Sequence, residues 1–89
     1  MINDLPALLD VARRVDDLRE QYRDSAALQS VAEQLTYLIG IERGVITDLS
    51  KLKAINIGVI AAREIEDMDF AVARILQELD AEVGRISHI

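Results

Sequence analysis

Apolar residues recur at steps of three and four from the start of the chain: Leu5, Leu8, Leu9, Ala12, Val15, Leu18 and Tyr22. That spacing returns side chains to one side of a helix and fits no strand period. The other side carries Asp10, Arg13, Arg14, Asp17, Glu20 and Arg23, a solvated face. Asp10 and Arg14, four apart, favour the helix slightly; Asp16 and Glu20 oppose it slightly. Asn3 or Asp4 is placed to cap the helix, and Pro6 falls in its first turn, where a missing N–H costs nothing. A stripe of this kind must be covered, and the rest of the chain supplies the cover.

Asp24 and Ser25 end the first helix and cap a second, predicted over residues 26–43. Leu28, Val31, Leu35, Leu38, Ile39 and Glu42 share one side; Tyr37 and Ile41 fall elsewhere, so the second half is apolar nearly all round. Gly44 suits a C-cap. A third helix is predicted to start at Thr47 or Asp48. One line on it runs through Leu49, Leu52, Ile55 or Asn56, Val59 and Arg63, with Ile60 beside it; another runs through Ile57, Ala61 and Glu64. The β-branched run at residues 55–60 would also suit a strand, but nothing else in the chain offers it a partner. Gly58 within a helix costs about 1 kcal/mol relative to Ala, and close helix packing is the expected return. Residues 67–69 break this helix and cap a fourth, whose stripe is Phe70 or Ala73, Leu76, Leu79, Val83 and Ile86, with Val72 and Ile75 alongside. Four helices of about eighteen residues joined by short turns predict an all-α fold, a small antiparallel four-helix bundle forming one domain over residues 1–89.

The core has to be aliphatic, because Tyr22, Tyr37 and Phe70 are the whole aromatic complement of 89 residues. With no cysteine, disulfides, thiol catalysis and cysteine metal sites are excluded, which suits a reducing compartment. No basic-then-apolar leader opens the chain, and no apolar run approaches the roughly 20 residues that span a bilayer. A cytoplasmic location is the expectation.

The formal charge is −6, and its placement matters more than its size. Residues 64–82 hold seven acids against the single base Arg74, while the remainder is balanced. An excess this local disfavours nucleic acid and anionic membranes and attracts a basic protein surface. Glu64, Glu66, Asp67 and Asp69, at the end of the third helix and the turn after it, are therefore the candidate partner-binding residues.

Catalytic chemistry has little to stand on. The one histidine, His88, is penultimate, where chains fray. No Glu-x-x-His pair, glycine-rich phosphate loop or serine beside a base is present, and the acids of residues 64–69 lack the ligand loop of a calcium hand. No cofactor, no metal and no enzymatic activity are expected. Tyr37 and Asn56 would serve as a buried polar pair or interface anchor; the plainer expectation is Tyr37 in the core with its hydroxyl at the edge, and Asn56 bonded to a helix neighbour.

Two stretches carry a resemblance: residues 32–38, AEQLTYL, and residues 48–69, DLSKL running on through IGVIAARE to DMD. They resemble the small helical immunity proteins that accompany NAD(P)-glycohydrolase toxins of bacterial type VI secretion systems. The similarity covers residues 31–84 and is strongest over 48–69; the first helix resembles nothing specific. What the resemblance implies is a non-enzymatic cytoplasmic antitoxin that binds a cognate toxin, the C-terminal domain of an effector, and covers its active-site cleft. The competing expectation is a helical oligomerisation or adaptor module. There, the apolar character of residues 36–46 and 54–62 would serve a homodimer.

Overall fold

The computed structural model describes residues 5–87, with no side chain described at Ser87. The expected caps Asn3 and Asp4, and His88, lie outside the described residues. The chain forms α1 (Leu5–Gln21), α2 (Ala26–Glu42), a 3-10 segment (Ser50–Ala54), α3 (Ile57–Ile60), a π-wound continuation (Ala61–Ile65) and α4 (Phe70–Ser87). Together α3 and its continuation make the third helix of an all-α four-helix bundle. There is no strand among the described residues.

The stripes read from the sequence meet in one aliphatic core. Leu8, Val11, Val15 and Leu18 of α1 face Leu28, Val31, Leu35 and Leu38 of α2, and Leu52, Ile57, Ala61, Ile65, Val72, Ala73, Leu76 and Val83 complete the cluster. None of the buried residues among those described is polar or charged. Burying each such Leu or Val stabilises the fold by roughly 1.5–3 kcal/mol before entropy is set against it. On α4 the alternative at the head of the stripe resolves to Ala73, which is buried, while Phe70 is 59% exposed. On α1 Leu9 lies outward, as does Tyr22 just beyond the helix end, and Val11 takes the inner place.

The helix ends follow local chemistry. Ser25 Oγ accepts from the Leu28 N–H at 3.1 Å and caps α2. At the other end Gly44 adopts φ +74. Its N–H donates to the Ile41 carbonyl and that of Val45 to the Gly40 carbonyl, the paired bonds that close a helix through a left-handed residue. Asp69 Oδ1 accepts from the Val72 N–H at 3.1 Å and caps α4.

The third helix departs from expectation. Asp48 does not begin a continuous helix: its Oδ1 accepts from the Ser50 N–H at 2.9 Å, and a 3-10 segment follows. That bond, with a further one from the Ser50 side chain, holds the Asp48 carboxyl below its ordinary range. Ile55 is then extended, at φ −64 and ψ 125, and the helix starts afresh at Ile57. The interruption changes which line is buried. Ile57 and Ala61 point inward, joined by Ile65 in place of Glu64, whereas Leu49, Val59 and Arg63 are exposed. The physical reason is tertiary: Asn56 is held by a residue of α2, as described below.

Candidate partner-binding site

Ile65 is buried and ends the third helix. Its carbonyl accepts from both the Met68 and Asp69 N–H groups at 2.9 Å, which closes the turn to α4 tightly. Met68, half-buried, packs on the core and pins the turn from inside. The four candidate acids ride on this frame. Glu64 is exposed on the π-wound stretch, Glu66 and Asp67 are exposed in the turn, and Asp69 is half-buried at its end. The structure thus brings all four to one corner, beside the N-terminus of α4, whose dipole favours negative charge.

They do not have equal freedom. Asp69 is committed to capping α4. Glu66 Oε1 accepts from Gln77 Nε2 at 2.9 Å, tying the turn to the next helix. Neither Glu64 nor Asp67 has a side-chain hydrogen bond or ion pair among the described residues. The rest of the acidic segment is dispersed. Glu78 faces Arg74 at 3.8 Å, Glu82 pairs with Arg85, and Asp80 turns inward. The excess of charge read from the sequence is therefore several separate arrangements, and its exposed acids with no ion pair among the described residues are those of the corner at residues 64–67. Phe70, the only phenylalanine, opens α4 three residues beyond Asp67. By chain reach it lies within about 11 Å of that residue.

Asn56 and Tyr37 do not pair with each other. Tyr37 is half-buried against the core and its hydroxyl donates to the Asp48 carbonyl at 2.7 Å, so the ring is core and the hydroxyl lies at the edge. Asn56 is bonded across the fold: Gln34 Nε2 donates to Asn56 Oδ1 at 2.8 Å, and the Asn56 N–H donates to Gln34 Oε1 at 2.9 Å. The expected helix-neighbour bond is replaced by this reciprocal pair. A second link also eluded sequence reasoning. The Gly58 N–H donates to Asp80 Oδ2 at 2.7 Å. The signal for both was a polar residue inside an apolar stripe: Gln34 between Val31 and Leu38, and Asp80 between Leu76 and Val83.

A shallow groove of about 250 Å³ lies between α2 and the 3-10 segment, lined by Glu33, Gln34, Tyr37, Lys51, Ala54 and Ile55. It holds no nucleophile beside a base. No group of His, Asp or Glu among the described residues is arranged to hold a metal ion. Of the apolar residues that suggested a dimer, Ile39, Ile41, Ile55 and Ile60 are partly buried against the core and Ile46 lies over Gly40, while Val45 and Val59 are exposed. No helix of the described residues is long and apolar enough to cross a membrane.

Comparison with known proteins adds one finding. The model of the Tsi6 family matches residues 5–85, which takes in α1 as well as the later helices. No curated protein and no solved structure matches the chain.

Proposed function

The chain belongs to the Tsi6 family, a family of type VI secretion immunity proteins, and from that premise we propose that it neutralises an NAD(P)-glycohydrolase toxin by occluding its active site. The observation that carries the reading is the family match over nearly the whole chain. It acts in the cytoplasm, where such a toxin would consume its substrate, and it acts by binding, without turnover.

The contact is placed at Glu64, Glu66, Asp67 and Asp69. A cleft that binds a phosphorylated dinucleotide tends to be positive, and carboxylates can occupy that field in place of phosphates. Three features support this placement. The turn is held rigid by paired bonds to Ile65. Glu64 and Asp67 are exposed with no internal partner among the described residues. Phe70, beside them and 59% exposed, offers the aromatic anchor on which interfaces concentrate binding energy.

The test is a titration. The purified protein is added to the C-terminal toxin domain of a cognate effector, and NAD(P) hydrolysis is followed. Inhibition should be complete at one-to-one stoichiometry, with neither NAD(P) nor the toxin modified by the inhibitor. Protection at sub-stoichiometric amounts would instead show an enzyme. Reversing Glu66 and Asp67 together to Lys should slow association, reduce its salt dependence and weaken protection in cells, with helical content unchanged. Reversing Asp10 and Asp17 on α1 should matter less. Loss of protection by the α1 variant alone would move the contact to that helix.

A further inference from the structure

The third helix is nine residues long from Ile57 to Ile65, and half of it is π-wound. A segment this short has little helical stability of its own. Its N-cap residue, Asn56, makes no side-chain cap to it. Ile57, Ala61 and Ile65 bury one side, which attaches the segment but leaves its rotation and slide to other contacts. Three bonds to two distant residues meet at its first turn. Gln34 on α2 pairs reciprocally with Asn56. The Gln34 amide is itself oriented, since Nε2 also donates to Ser30 Oγ at 3.1 Å. Asp80 on α4 accepts the Gly58 N–H, taking the place of the missing cap. The approach is close: a Cβ on Gly58 would lie 2.8 Å from the Asp80 Cβ. Glycine is what lets the carboxylate reach the backbone.

We infer that Gln34 and Asp80 are positioning residues, which clamp the start of the third helix from both sides and so set where its far end presents the turn at residues 66–69. Each reaches 22 residues along the chain. The inference rests on the proposed contact at that turn. It assigns the two clamps a role in binding although neither residue belongs to the contact.

The test compares Asp80→Ala, Asp80→Asn and Gln34→Ala with Ser25→Ala, which weakens a cap on α2 and leaves the third helix untouched. Amide hydrogen exchange and dissociation from the same toxin domain are measured on the full chain. In Asp80→Ala and Gln34→Ala, amides of residues 57–66 should exchange roughly tenfold faster, the equivalent of one lost hydrogen bond. Those of Val11 and Val31 should hold their rates. Dissociation from the toxin domain should quicken by a similar factor. Asp80→Asn keeps an acceptor oxygen and should restore both. Faster exchange spread evenly over all four helices, or dissociation no faster than in Ser25→Ala, would overturn the inference. If the unaltered protein fails to bind the toxin domain, the proposed function falls. The positioning role falls with it, and the exchange pattern then reports a purely structural clamp.

Discussion

The α1–α2 hairpin and the half that follows it use different means to the same end. In the hairpin, two helices of 17 residues each interlock through apolar residues at regular spacing. Their polar groups deal with near neighbours: Arg13 and Arg14 both reach Asp10, Arg19 reaches Asp16, and Ser25 caps its own helix. In the second half the winding changes from 3-10 to α to π and back to α between Ser50 and Phe70. There the decisive polar bonds are long: Gln34 to Asn56, Gly58 to Asp80, Tyr37 to Asp48 and Glu66 to Gln77. Periodicity suffices to build a hairpin. An irregular helix that carries a turn to a set position needs side chains brought from elsewhere in the chain.

If the difference lies in polar links and not in the core, truncating the core should hurt both halves alike. Leu35→Ala in α2 and Leu76→Ala in α4, both fully buried, should each cost about 2–5 kcal/mol in chemical unfolding. A loss confined to one of them would mean the halves have separate cores.

Gly58→Leu sharpens the contrast. The new side chain must displace Asp80 and its bond, and overpacking of this sort costs about 1–3 kcal/mol. A neutral result in thermal unfolding would place Gly58 at an open surface. Gly44→Ala is the hairpin's counterpart. No atom lies within 4 Å of the site, so the cost is the left-handed backbone alone, about 1–2 kcal/mol.

Helix caps exist in both halves and should be equivalent. Ser25→Ala and Asp69→Ala should each cost about 1 kcal/mol. A much larger loss at Asp69 would show that the turn at residues 66–69 is strained when uncapped.

These comparisons also show what could be read in advance. The first two helices, a cap at residues 24–25, another within residues 67–69 and the Gly44 terminus were legible because each depends on residues within a turn or two of one another. The third helix was legible as an apolar segment but not in its start or winding. Nothing near Asn56 reveals that Gln34 will hold it. Likewise, the acids of residues 64–69 could be located, but not sorted. That Glu66 binds Gln77 and that Asp80 turns inward depends on how α4 lies against the third helix.

The smallest expected effect concerns acid. Hydrogen bonding by Arg13 holds the Asp10 carboxyl below its ordinary range, and the Ser50 N–H does the same for Asp48. For groups lowered in the folded state, the stabilisation is present above the unfolded value and is lost as pH falls through the folded one. The protein should therefore lose this contribution below about pH 4. A variant carrying Asp10→Asn and Asp48→Asn should show a shallower decline over that window in denaturant midpoints. Both groups are exposed, so an identical decline would assign acid sensitivity to other carboxylates.

The bond from the Tyr37 hydroxyl to the Asp48 carbonyl has an optical consequence. The chain has no tryptophan, so its near-ultraviolet spectrum belongs to two tyrosines and one phenylalanine. Of the tyrosines, Tyr22 is 41% exposed to water and Tyr37 is anchored to backbone. A phenol released from a carbonyl into solvent changes its absorption. Detachment of the 43–49 connection from α2 would thus register as a shift in one identifiable chromophore. A tryptophan-bearing partner can be excited with no background from this protein, leaving each side of a complex its own colour.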